Sequence, residues 1–200
     1  MADADAATTI AAMEERLRSL EDREAIRELV CRYNAVMDNR EIDAVPDLFT
    51  EDAEVSSHDG ALSSIGRDAV VEMYQGRWGV LGPSLHWGHD HRIALDPDDG
   101  DRATGQVGLH AEMSRFGVAA MSAIRYDDVY RRGADGAWRF ASRRLAFFYF
   151  MDPRDFAEVL ESDLRVRSGE EAVAAGFPES LASWREYYKR FPRPAGATAS

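Results

Sequence analysis

The apolar residues of the first forty positions recur every three or four places. Ile10, Met13, Leu17 and Leu20 form one stripe, and Ile26, Leu29, Val30, Tyr33, Val36 and Met37 form a second. This spacing gathers them on one side of a helix. Thr9 and Asp22 are candidate N-caps, so the pattern predicts one bent helix or two consecutive ones, fading at Asn39. Ile42–Phe49 reads as a short helix with Pro46 in its first turn, where a missing N–H does little harm. Ala53–His58 reads as a short strand closed by His58-Asp59-Gly60, and Gly66 precedes a helix over Arg67–Tyr74. The period then falls to 2. Leu85–Leu95, Arg102–Phe116, Ala119–Arg131 and Trp138–Phe150 read as strands, separated by the turn residues Asp96-Pro97-Asp98-Asp99-Gly100, Gly117 and Gly133-Ala134-Asp135-Gly136. Long strands joined by short turns make a twisted antiparallel sheet. After Asp152-Pro153, helical character returns over Arg154–Leu164, Gly169–Ala175 and Pro178–Phe191. Helices, then sheet, then helices predict an α+β fold.

The chain has 200 residues, enough for one packed domain with an appendage, and its four Trp and nine Phe can fill a core. The expected division is a disordered N-terminus over 1–9, a domain over 10–152, a helical extension over 153–192 and a tail over 193–200. A net charge of −12 disfavours nucleic acid and anionic membranes, which are bound by cationic surfaces. The lone cysteine, Cys31, excludes an intrachain disulfide and is expected to be a buried thiol. The opening MADADAATT has no basic or apolar signal segment, and no apolar run approaches a membrane span. The expectation is a cytoplasmic protein. The extension carries Phe156, Leu160, Leu164, Phe177, Leu181, Trp184, Tyr187, Tyr188 and Phe191, which must pack on the core or on another subunit.

Two segments stand out for chemistry: Arg23–Asp38, which carries Tyr33 and ends in Asp38, and Leu85–Leu95, which carries His86. A histidine facing a carboxylate is equipped to take a proton from carbon near neutral pH, because the acid fixes the tautomer and stabilises the imidazolium. A tyrosine can hydrogen-bond a carbonyl or a leaving oxygen. One difficulty is geometric: residues five apart on a helix point about 140° apart and lie about 7.5 Å apart along the axis. Alternation puts His86 on one face with Gly88, Asp90 and Arg92, and Leu85, Trp87, His89, His91 and Ile93 on the other. His86, His89 and His91 also suggest a metal, but a catalytic ion needs a further convergent ligand, and only His110 or Glu112 is offered. The reading is therefore no metal and no cofactor. Neither a phosphate-binding glycine loop nor a nucleophile elbow occurs.

The string LEDREAIRELVCRYNAVMDNREIDAVPDLFTEDAEV and the hairpin YRRGADGAWRFASRR, in this order and spacing, resemble the SnoaL-like branch of the nuclear transport factor 2-like superfamily. The resemblance covers about 20–152. It implies a cone-shaped α+β barrel, with a curved, mostly antiparallel sheet wrapped around N-terminal helices; the C-terminal extension lies outside it. Within the superfamily the chain looks most like lyases: scytalone dehydratase, hexachlorocyclohexane dehydrochlorinase and bile-acid 7α-dehydratase. Their His–Asp dyad lands on His86 and Asp38, with LHWGH as the matching string. The dehydratase tyrosine lands on Tyr33, and an arginine of the last long strand lands on Arg143, with Arg144 beside it. Trp78, Trp87, Phe116, Phe147 and Tyr149 are candidate walls of an apolar substrate pocket. The implied function is a cofactor-independent dehydratase acting on a largely apolar cyclic or polycyclic hydroxy-carbonyl compound. The alternatives are an isomerase or polyketide cyclase that needs only an acid, or a non-catalytic small-molecule binder. Proteins of this fold are commonly dimers or trimers, so a homo-oligomer is expected.

Overall fold

The computed structural model describes residues 2–167, 169 and 171–193. Helix α1 runs without a break over Ala2–Asn39. The expected fraying of residues 1–9 is not seen from Ala2 onward, and Asp22 is no cap. Its buried carboxylate instead accepts from Arg132 Nη1 at 2.5 Å and from Trp138 Nε1 at 3.0 Å, which fixes the middle of the helix to the sheet. Only the second apolar stripe is buried; Ile10, Met13, Leu17 and Leu20 stay exposed on the stretch before this anchor. Cys31 is exposed, which corrects the expected buried thiol. It precedes Tyr33 by two positions, about 200° around the helix, so burying one turns the other outward.

A 3₁₀ turn (Ile42–Ala44) and α2 (Val45–Leu48) lead into β1 (Phe49–Ser57) and β2 (Ser63–Ile65). Then come α3 (Arg67–Trp78), β3 (Leu81–Leu95), β4 (Arg102–Arg115), β5 (Val118–Arg132) and β6 (Trp138–Met151). The fold is α+β, as expected. The six strands form one sheet in the order β2-β1-β6-β5-β4-β3. All pairs are antiparallel except β1 with β6, which is parallel. Helices α1 and α3 lie across its inner face. Ile26, Tyr33, Val36 and Met37 of α1 meet Val70 and Tyr74 of α3, with Val107, Leu109, Tyr126, Phe140 and Leu145 of the sheet.

The extension is less helical than its pattern suggested. Within it, α4 covers only Phe156–Val159 and α5 Ala182–Arg190. Over the predicted helix Gly169–Ala175, whose residue 170 lies outside the described residues, Val173 instead pairs antiparallel with Val166. The expected tail lies outside the described residues from 194 onward. β1 pairs with β6 only as far as Leu145; beyond that the extension takes over the edge, with Arg167 N donating to Phe150 O at 2.7 Å and Gly176 N to Phe147 O at 2.8 Å. Unpaired backbone on a sheet edge is a liability, and this cover removes it. Arg165, fully buried, locks the cover in place by donating to Phe148 O, Ser162 O, Phe177 O and the Glu179 carboxylate.

Candidate active site

Asp38 sits in the last turn of α1, where the peptide dipoles disfavour an anion. It is held there by β3. His86 Nδ1 lies 2.5 Å from Asp38 Oδ1, and the His86 backbone N–H donates to Asp38 Oδ2 at 3.0 Å. One carboxylate thus holds both the imidazole and the strand that carries it. The carboxylate fixes the proton on Nδ1 and leaves Nε2 with its lone pair. Both side chains are largely shielded, and His86 lines an inner chamber of about 50 Å³.

Tyr33 lines the same chamber. Its hydroxyl lies 2.9 Å from that of Tyr74, and the Tyr126 ring packs edge-on against it at 6.3 Å. The 140° offset between Tyr33 and Asp38 is absorbed because β3 closes over the end of the helix while Tyr33 points at the sheet. Burial, then the neighbouring Tyr33, pushes the Tyr74 and Tyr126 phenols well above the ordinary range, so both keep their protons and remain donors. Neither tyrosine was anticipated. Tyr74 lies one turn after Val70 on the buried side of α3. Ser122, Ile124 and Tyr126 alternate along β5, so strand parity held the signal.

The register places His86 opposite Ala111, Ala111 opposite Ser122 and Ser122 opposite Phe150. This single row spans four strands, with small Ala111 as its floor. The Ser122 hydroxyl is fully buried, has no hydrogen-bond partner among the described residues, and belongs to the chamber wall. Met37, Trp78, Met113, Leu145 and Phe147 complete the apolar lining.

The other expected site residues separate. Trp78 and Phe147 line the chamber. Trp87 stands on the opposite face of β3 from His86 and is 52% exposed. Phe116 forms the β4–β5 hairpin tip at φ 50° and is 69% exposed. Tyr149 faces away from the chamber, packing with Ala123, Met151 and Val159 under α4. A bulge in the β5–β6 pairing, between Ala123 and Ile124, lets Phe147 and Phe150 both face inward and sends Tyr149 out.

Alternation requires one of Arg143 and Arg144 to point inward; it is Arg143, and it does not line the chamber. Asp128, directly opposite on β5, takes it bidentately, with Nε–Oδ1 and Nη2–Oδ2 both at 2.9 Å. The pair is dry, the arginine side chain being 1% exposed. The guanidinium stacks 4.1 Å from the Tyr33, Tyr126 and Phe140 ring centroids. Burial opposes its charge, but Asp128 prevails and holds its pKa above the usual arginine value. Arg143 is therefore a foundation for the tyrosines, which corrects its expected role in substrate contact. Arg144 faces the other way, beside His58.

The three strand histidines also part. A second bulge between Gly88 and His91 breaks the simple alternation, so His91 turns inward to Tyr130 at 3.1 Å. His89 stays outside, 2.6 Å from His110. Ligands on opposite faces of a sheet cannot share one ion, and no group of three metal-binding side chains occurs among the described residues. No helix among them is long and apolar enough to cross a membrane.

Known structures share this architecture. A scytalone dehydratase candidate from Novosphingobium aromaticivorans DSM 12444 superposes with a TM-score of 0.61 at 23% identity, over 68% of this chain and 89% of that one. Hexachlorocyclohexane dehydrochlorinase LinA-type3 from Novosphingobium barchaimii LL02 gives 0.61 at 21% identity, over 68% and 92%. ActVI-ORFA from Streptomyces coelicolor gives 0.53 at 17%, over 62% and 96%. At these identities the likeness is one of fold. No curated protein matches the chain. The profile of the SnoaL-like domain matches residues 18–144, well over half of the sequence, and the chain is a member of that family.

Proposed function

We propose that the protein is a cofactor-independent lyase that eliminates water from a cyclic hydroxy-carbonyl compound. The observation that carries this reading is the His86–Asp38 hydrogen bond at the wall of a chamber that mixes apolar side chains with tyrosine hydroxyls and the Arg40 and Arg77 side chains. The names of two fold neighbours, a dehydratase candidate and a dehydrochlorinase, both describe eliminations and support it. In the proposed reaction, His86 Nε2 takes the proton on the carbon beside the carbonyl, and the C–H electron pair becomes the enolate. The Tyr33–Tyr74 hydroxyl pair, in which one O–H is spent on the other oxygen, and Tyr126 supply hydrogen bonds to the enolate oxygen; each free preorganised donor contributes about 3 kcal/mol in the transition state. The enolate collapses, the bond to the β-oxygen breaks, and the imidazolium returns its proton to that oxygen. Water leaves, an enone remains and His86 is neutral again. Asp38 stays ionised throughout.

The test uses a panel of β-hydroxy ketones on one- and two-ring scaffolds, with enone formation followed by absorbance. His86→Ala and Asp38→Asn should each reduce kcat/KM at least about 100-fold. A large loss in Asp38→Asn alone would favour an isomerase or cyclase in which the acid moves the proton. Indifference to both changes would leave a binding protein.

A further inference from the structure

The inner chamber is too small for a whole cyclic substrate: its 50 Å³ is well below the roughly 150 Å³ cavity that takes up benzene. It adjoins an outer lobe of about 190 Å³, and the two share walls that include Leu62, Arg77, Met113, Leu145 and Phe147. The outer lobe is the adjoining space into which a molecule with its reacting carbon at His86 can extend. That lobe differs in character. Arg77 and Arg115 line it, together with Ser57 and Asp59.

Most arginines of this acidic chain are neutralised by a carboxylate, but these two, like Arg40 of the inner chamber, make no ion pair with any described residue; Arg40 is instead taken up by Met37 O, Ser84 Oγ and Gly82 O. Arg115 only stacks over Phe116, its guanidinium 5.1 Å from the ring centroid. Arg77, in the last turn of α3, lines the chamber as well, close enough for its charge to act on the Tyr126 phenol. Asp59, the acid of the lobe, makes no ion pair either: its Oδ1 accepts from Ser57 Oγ and from the Ala61 backbone N–H, both on the same wall. Two guanidinium groups and one carboxylate thus line the half-enclosed space, which leaves it with an excess of positive charge.

We infer that the outer lobe is an anion subsite, and that the substrate carries a carboxylate at the end opposite its reacting carbon. This rests on reading the cavity as the substrate site. Arg115 lies four residues along β4 from Ala111, the residue opposite His86, which is about 13 Å between Cα positions. Allowing for the arginine side chain, the acid and the reacting carbon are held about one or two rings apart. The guanidinium is suited to this task because it binds both carboxylate oxygens in one plane.

The probes are 2-naphthoate and its neutral isostere 2-naphthamide, titrated against the full chain by calorimetry and by tryptophan fluorescence at low and high salt. Naphthoate should bind about tenfold or more tighter than the amide. The gap should shrink with salt and close in the Arg77→Gln/Arg115→Gln double variant. That variant should keep the wild-type melting temperature, since neither guanidinium makes a hydrogen bond or an ion pair with a described residue. Equal binding of acid and amide would overturn the inference, as would a preference that survives the double substitution or no millimolar binding of either probe. The outcome is separable from the catalytic reading: His86→Ala should leave the naphthoate preference intact whether or not it abolishes turnover.

Discussion

Replacing Asp128 with Asn leaves the shape of the buried pair almost unchanged and removes its negative charge. In the intact protein the carboxylate accepts three hydrogen bonds, from Arg143 Nε, Arg143 Nη2 and Tyr130 Oη, all at 2.9 Å. The amide keeps one acceptor oxygen and turns an NH₂ group toward donors. Arg143 is then a charge without a counterion, and its Nη1 already lacks a partner. Breaking a buried pair from one side costs about 3–5 kcal/mol. The three aromatic rings around the guanidinium do not reduce this loss, because they stabilise it equally in both proteins. For a chain of this size the loss corresponds to a melting temperature lower by about 6–20 °C. Urea unfolding of Asp128→Asn gives the free energy directly. The double variant Asp128→Leu/Arg143→Met, with no buried charge, should recover most of the stability. A single variant within about 1 kcal/mol of wild type would refute the reasoning. So would a double variant as unstable as the single, since the loss would then come from shape and not from charge.

Two further outcomes follow from the same end of the sheet. Burial holds His91 below the ordinary histidine value; Asp128 opposes this, and Arg143 and Arg27 reinforce it. In this case the unfolded chain binds the proton first. Stability is therefore lost as pH falls from about 6.5 through the lower folded value, by at most about 1.4 kcal/mol per pH unit. His91→Gln should flatten that decline in urea unfolding between pH 7.5 and 5.5, and an unchanged slope would rule His91 out as its source. A Cβ added at Gly105 would lie 2.7 Å from Tyr130 Cε2, 2.8 Å from its hydroxyl and 3.1 Å from Arg92 O. Gly105→Ala should cost about 1–3 kcal/mol, and a melting temperature equal to wild type would show that the Tyr130 ring shifts freely.

Most of the sheet was legible because alternation and turn residues are local signals. The strands from Arg102 onward match their expected bounds to within a residue. Asp38 and His86 were legible through their type and position, and the sheet places them in contact. What was hidden depended on distant parts of the chain. Asp22 looks like a cap in sequence, and only Trp138 and Arg132, more than a hundred residues later, show that it is a buried acceptor within one continuous helix. Alternation required one of Arg143 and Arg144 to face inward without saying which, and the neutralisation of Arg143 by Asp128 depends on the β5–β6 register. Trp87 failed as a wall by plain alternation, which turns it away from His86, and Tyr149 because parity must be counted across a bulge, which leaves little trace in sequence. The extension was overread as helix because its apolar residues grip a sheet edge through irregular backbone.

The two ends of the sheet carry different duties. At one end, Asp22 with Arg132 and Trp138, and Asp128 with Arg143, Tyr130 and His91, form interlocked polar contacts in which each member needs the others. At the other end, the chamber is walled by Met37, Met73, Met113, Ile124, Leu145 and Phe147, side chains that make no such demands. Hydrophobic walls can exchange size and shape one residue at a time at modest cost, whereas a single change in the polar lattice strands a buried partner. A lineage built on this plan can therefore try new substrates by changing the chamber walls while the lattice keeps the chain folded.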